Sequence, residues 1–271
     1  MNFKKVASFI ALTFIWSWTL WILGLQHLED GITAESIDTF LIYFFAGVYG
    51  PSLSSIIITL LFDGFSNTWK LCKKLFMFKA AWWIYVLILV LPLVFVAIGL
   101  LLYQWFFGSV GDFKFAAVAF IPIVLWSGFY AGPLGEELGW RGFLLAEFQT
   151  QFSNLKSAIV IGIIWFCWHI PLFWAPFGTL VSGKSLHLFP ILTYLVLLVG
   201  LSIIITWMVV HSRGSVWIAI LFHLSINAGL LLLFFPEIGP NFKTIHLLST
   251  AGVWIFAGYL IYQRGLNLPL R

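Results

Sequence analysis

Apolar residues run along this chain in blocks of about 20, separated by short polar stretches. A block of that length crosses a hydrocarbon layer about 30 Å thick as a helix, because in lipid each segment must satisfy its own backbone polar groups. The pattern predicts about eight spans, near Val6–Leu25, Phe40–Phe62, Trp82–Phe106, Phe115–Leu145, Ser157–Pro176, Leu188–Val210, Val216–Phe235 and Ile245–Tyr262. The fourth block is too long for one straight crossing. Pro133 and the glycines around it predict a bend or break there, just before two carboxylates. No internal repeat and no low-complexity segment is visible. The expectation is an all-α fold, a polytopic membrane helix bundle forming one domain over residues 1–271.

Composition sharpens this. The 271 residues are 62% hydrophobic and 9% charged, against about 25% charged in a soluble domain. The 15 Trp and 29 Phe suit interfacial belts and lipid-facing surfaces. The net charge of +4 does not predict a nucleic-acid partner, since the basic residues fall in loops between the blocks. The first block is long enough to stay as a span, and no cleavable leader pattern precedes it. Cys72 sits among lysines and Cys167 within an apolar block, so no disulfide is expected. Lys4, Lys5, Lys70, Lys73, Lys74, Lys79, Lys156, Arg213, Arg264 and Arg271 fall on one alternating set of loops and ends. The opposite set holds Lys114, Lys184 and Lys243 and most of the acids. The positive-inside rule then places both termini in the cytoplasm, in the plasma membrane if the chain is prokaryotic. Membrane lipid is the expected surrounding partner, with the Lys70–Lys79 region against anionic headgroups.

Polar groups inside the blocks are few, and an ionisable side chain near the bilayer centre costs about 2.5–3.5 kcal/mol or more, which makes each a candidate for function. The stretch Gly132-Pro133-Leu134-Gly135-Glu136-Glu137-Leu138-Gly139-Trp140-Arg141-Gly142 carries two adjacent carboxylates and an arginine. Glu137 and Arg141 are four apart and share a helix face, where they can neutralise each other and support the site. Glu136 points about 100° away and is free for other work. Gly132 and Gly139 lie on its face and are expected to leave open space beside it. His169 follows Trp165 by one turn, and His223 and Asn227 are four apart on another helix. Singly, such residues act as hydrogen-bonding glue between helices. Together, a carboxylate, two imidazoles and an amide are what water activation with oxyanion stabilisation requires. Glu136, His169 and His223 could equally bind zinc. His27, His187 and His246 lie near loops and are expected to be solvated, with His211 at the interface.

Depth supports a shared site. Glu136, His169 and His223 lie 11, 13 and 10 residues from Glu147, Lys156 and Arg213, roughly 15–20 Å along a helix at about 1.5 Å per residue. The four polar residues are therefore expected to meet in one cavity, reached from the lysine-rich side or laterally. No His-Glu-x-x-His zinc motif and no Gly-x-Ser-Gly serine motif occurs. Cys167 is two residues from His169 and points to nearly the opposite face, which argues against a thiol–imidazole pair.

Glu136-Glu137-x-x-x-Arg141-Gly142, then Trp165-x-x-x-His169, then His223-x-x-x-Asn227, in that order within about residues 115–235, resemble the CPBP intramembrane proteases. That family includes CAAX prenyl proteases of the Rce1 type and bacterial relatives linked to bacteriocin processing and immunity. Trp165 and Trp140 stand where the family commonly has Phe. The resemblance implies an endopeptidase acting on a membrane-proximal peptide or a lipidated protein. It implies Glu136 as general base assisted by His169, His223 and Asn227 as the oxyanion site, and Glu137 and Arg141 in support. It leaves open a metal-free glutamate mechanism, favoured because an amide is a poor zinc ligand, or a zinc-dependent one with Zn on Glu136, His169 and His223. A proton-coupled transporter and a non-catalytic immunity protein are the competing classes, the first disfavoured by the lack of an inverted repeat.

Overall fold

The computed structural model describes residues 1–29, 31–109, 121–130, 132–183, 187–232 and 241–263. Their regular structure is helical throughout: α1 Phe3–Gln26, α2 Ala34–Val48, α3 Gly50–Lys73, α4 Trp82–Phe107, α5 Ile121–Tyr130, α6 Pro133–Glu137, a π-helical segment Leu138–Leu144, α7 Leu145–Phe148, α8 Asn154–Trp168, α9 Leu188–His211, α10 Val216–Leu232 and α11 Asn241–Tyr262. Among the described residues five stretches are long and apolar enough to cross a membrane, with Ala34–Phe76 counting as one of them, and α8 and α10 are shorter apolar helices. The expected polytopic all-α bundle is what the chain forms. Residues 115–120 and 131 of the fourth block and 233–235 of the seventh lie outside the described residues.

The second block departs from one straight helix. It breaks at Tyr49, because Pro51 takes the opening turn of a new helix where its missing N–H costs nothing. α1 runs antiparallel along both pieces. Trp21 Nε1 donates to Phe44 O at 3.1 Å and Ser17 Oγ to Gly47 O at 2.7 Å. Lys5 reaches Asp63 at the far end of the same face and Glu147 at 2.6 Å. A second break falls at Gly64, whose φ of +77° suits a residue without a side chain. Beyond it, Phe65, Trp69 and Phe76 are exposed among the lysines, as expected of a segment lying at an interface.

α4 carries Pro92 in its interior, which leaves the carbonyl of Ile88 without its helical donor. Ser225 of α10 donates its hydroxyl to that carbonyl, replacing the lost bond and docking α10 on α4. His223 and Asn227, two residues to either side of Ser225, are thereby turned the other way. α8 and α9 approach closely where Gly162 meets Val199, since a Cβ there would lie 2.7 Å from the Val199 backbone. Ser202 Oγ donates to Ala158 O at 2.8 Å in the same contact. His246 corrects an expectation. α11 begins at Asn241, so His246 is already inside the helix, and it is 1% exposed beside Pro92 and Phe95 rather than solvated. His211 sits part-buried between the Trp83 and Trp207 rings.

The loops that share the basic residues share one end of the bundle. Lys5 contacts Glu147, Lys74 Nζ donates to Gly142 O at 2.7 Å, and Ser215 Oγ donates to Met77 O at 2.6 Å. The opposite end gathers the start of α2 and the 174–183 loop, where Phe177 packs on Phe40 and Phe44 at 5.2 and 5.6 Å between ring centres.

Candidate active site

The carboxylates sit where the chain changes helical pitch. Pro133 opens α6, and the backbone widens to a π-helix from Leu138, a form often found at functional sites. Two glycines four apart seat this segment. A Cβ on Gly135 would fall 2.8 Å from Val48 O, and one on Gly139 would fall 2.5 Å from Pro51 O. Small residues at this spacing let backbones touch, and the partner here is the break between α2 and α3. Gly139 therefore does not open space beside Glu136, as its place in the sequence suggested; it is consumed in packing. Gly132 does open it, because a Cβ there would lie 3.1 Å from Glu136 Oε1.

The two adjacent glutamates have separate partners. Glu137 is fully buried and takes both of its oxygens to Arg141 Nη1, at 2.9 and 3.0 Å. Its Oε1 also accepts from His223 Nδ1 at 2.8 Å. Arg141 lies with its guanidinium carbon 4.7 Å from the centre of the Trp165 ring, a cation–π contact that suits a cation removed from water. Glu136 instead takes two indoles on one oxygen. Trp165 Nε1 donates to Oε2 at 2.6 Å and Trp140 Nε1 at 3.4 Å. Oε1 faces Gly132.

The imidazoles are oriented by their Nδ1 atoms. His169 Nδ1 lies 2.8 Å from Trp165 O, and a carbonyl can only accept, so the proton is on Nδ1. The same argument applies to His223 against the Glu137 carboxylate. Both rings thus keep Nε2 for the cavity. His169 ends α8, because Pro171 cannot continue it. A point beside Gly132, where its Cβ would be, lies 3.1 Å from Glu136 Oε1, 3.4 Å from Asn227 Nδ2 and 3.6 Å from His223 Nε2.

Glu136, His169, His223 and Asn227 all line one cavity of about 480 Å³. Its remaining wall is mostly apolar, from Phe44, Phe177, Leu197 and Ile205 among others. The cavity runs from Glu136 to the 176–180 loop and Leu41, at the end away from the lysine-rich loops. Toward those loops, Trp140, Arg141 and Leu144 fill the core, each 2% exposed or less. Among the described residues no three His, Cys, Asp or Glu side chains are disposed to hold a metal ion. Glu136, His169 and His223 share the cavity without forming such a cluster. Cys72 and Cys167 are free thiols.

Two features carried no clear signal in the sequence, and a third, Trp165, was marked there only as the residue one turn before His169. Trp165 touches four site residues: Glu136 through its N–H, Arg141 through its ring face, His169 through its carbonyl and His223 at 5.2 Å between ring centres. Tyr194 of α9, buried on the cavity wall, stands 5.9 Å from the His169 ring. The Glu137–His223 bond joins residues 86 apart, beyond any periodic signal.

The fold and site define a polytopic membrane protein that buries a carboxylate and two imidazoles, with a part-buried amide beside them, around one apolar cavity. Residues 117–229 match the family model described as Type II CAAX prenyl endopeptidase Rce1-like. The chain is 28% identical over 222 residues to CAAX prenyl protease 2 of Methanococcus maripaludis, covering 79% of this chain and 80% of that protein. The resemblance carried by the three motifs is borne out as a similarity to Rce1-like proteins over the motif-bearing part of the chain.

Proposed function

We propose that this chain is an intramembrane endopeptidase of glutamate type, cleaving a peptide bond near the membrane surface. Similarity to an endopeptidase family supports hydrolysis. What carries the residue assignment is the convergence of Glu136 Oε1, Asn227 Nδ2 and His223 Nε2 within 3.6 Å of one point beside Gly132. A reacting centre held near a base and near oxyanion donors is the geometry acyl transfer needs.

In this mechanism Glu136 takes a proton from a water as its oxygen bonds to the scissile carbonyl carbon. The His169 Nε2 lone pair helps to hold that water. Asn227 Nδ2 donates to the oxyanion as it forms. His223 lies beside it, its ring held in place by the Nδ1–H bond to the Glu137 carboxylate. Glu136 then passes its proton to the departing amine nitrogen as the C–N bond breaks. Glu137 and Arg141 hold this frame and do not react.

The substrate follows from the cavity's apolar wall and from the relative's name, CAAX prenyl protease 2. It is a peptide or protein with a lipidated or strongly apolar segment beside the cleaved bond. A fluorogenic peptide ending in a prenylated Cys-a-a-X sequence is the probe. Purified wild type should cleave it, and Glu136→Gln, which keeps shape but cannot take a proton, should not. Undiminished cleavage by Glu136→Gln would sink the mechanism. The lysine-rich end faces the cytoplasm in this proposal.

A further inference from the structure

We propose that Trp165 and Trp140 are positioning residues that clamp one oxygen of Glu136 and leave the other to react, an inference that rests on the protease function proposed above. Both indole N–H groups converge on Oε2, from α8 and from the π-helical segment, while Oε1 faces Gly132, Asn227 and His223. Glu136 is 3% exposed. A carboxylate so far from water keeps its charge only where donors replace the lost solvent, and Trp165 and Trp140 supply two of them. A general base must also present one lone pair in a fixed direction, and two donors on Oε2 fix the carboxyl plane.

The π-helical turn sets this up from one side, since it places the Trp140 ring beside the residue four before it. From the other side, the Trp165 ring is itself held. Arg141 lies 4.7 Å over its face, and its carbonyl carries His169. Glu136 Oε2 is thereby held by indole N–H groups from two different elements.

Phe and Leu at position 165 separate the roles. Trp165→Phe removes the N–H and keeps a ring, and Trp165→Leu removes both. The full chain, purified in lipid nanodiscs, is assayed with the prenylated peptide for kcat and KM, with melting temperature measured in parallel. Trp165→Phe should lower kcat about tenfold with KM changed less than about twofold and an unchanged melting temperature. Trp140→Phe should lower kcat about two- to threefold, since its bond is longer. Trp165→Leu should lose melting temperature as well. Wild-type kcat in Trp165→Phe, or a fall matched by raised KM or lost stability, overturns the clamp.

A second measurement does not need turnover. In protein labelled with ¹⁵N-tryptophan, the indole N–H resonance that disappears in Trp165→Phe should lie downfield and move upfield in Glu136→Ala. A Trp165 resonance that ignores Glu136 overturns the clamp even if the peptide is cleaved. One that responds as expected, with no cleavage by wild type, leaves the clamp standing and removes the protease function.

Discussion

Glu136 and Glu137 are chemically identical neighbours with different roles, and the difference lies in what each one meets. Glu137 is saturated by Arg141 and His223, while Glu136 keeps one oxygen on the cavity. Glu137→Gln should therefore cost stability as well as activity. It leaves Arg141 a buried cation without its counter-charge, a loss of roughly 3–5 kcal/mol, and it leaves Arg141 and His223 to share one neutral acceptor oxygen. A drop in melting temperature together with a fall in kcat is expected; a variant with wild-type melting and wild-type kcat would dismiss the pairing. The Glu137–Arg141 pair was legible in the sequence because four residues is one helical turn. The Glu137–His223 bond was not, because it depends on how α6 and α10 pack. The zinc alternative also belongs at this scale. Exhaustive chelation should leave cleavage intact, and elemental analysis should find no stoichiometric zinc. Activity restored only by added metal would replace Glu136 as sole activator of the water.

At the level of elements, small residues and prolines decide where the site stands. Gly132 and Gly139 look alike in the sequence, and their substitutions should separate cleanly. Gly139→Ala drives a methyl into the Pro51 carbonyl, 2.5 Å away, and overpacking of this kind costs about 1–3 kcal/mol. Gly132→Ala puts the methyl 3.1 Å from Glu136 Oε1, so it should lower kcat with little change in melting temperature. If thermal melting ranked the two the other way, their assignments would be exchanged. Ser225→Ala should cost about 1–2 kcal/mol by leaving the Ile88 carbonyl unsatisfied, read as a lower melting temperature. The blocks of apolar residues marked most helices well, since block length follows bilayer thickness. They did not mark the break at Tyr49 or the π-helical turn. The second block reads as one continuous helix and the fourth as a helix bent at Pro133 with no mark of a wider pitch beyond it; packing against α1 fixes the first break, and the α2–α3 break seats the π-helical turn.

For the molecule as a whole, loop charge separates two ends, and the cavity's lining extends toward the one without the lysines. Basic residues mark one end, where Lys5, Glu147 and Lys74 knit α1, α7 and the π-helical segment together. That knitting, with Trp140 and Arg141 behind it, fills the core between the lysine-rich loops and Glu136. The cavity extends the other way, to Thr179 and Leu180. Loop charge records how the chain inserts, and says nothing of where the interior stays open. In a variant lacking Cys72 and Cys167, single cysteines placed as Lys70→Cys and Thr179→Cys should react with a membrane-impermeant maleimide from opposite sides of sealed cells or vesicles. Lys70→Cys should be reached from the cytoplasmic side. In the purified protein, a bulky maleimide on Thr179→Cys should slow peptide cleavage by filling the cavity's far end. The same label on Lys70→Cys should leave cleavage unchanged. Labelling of both from one side would undo the two-ended arrangement. Inhibition through Lys70→Cys and not Thr179→Cys would mean that substrate meets Glu136 from the lysine-rich end after all.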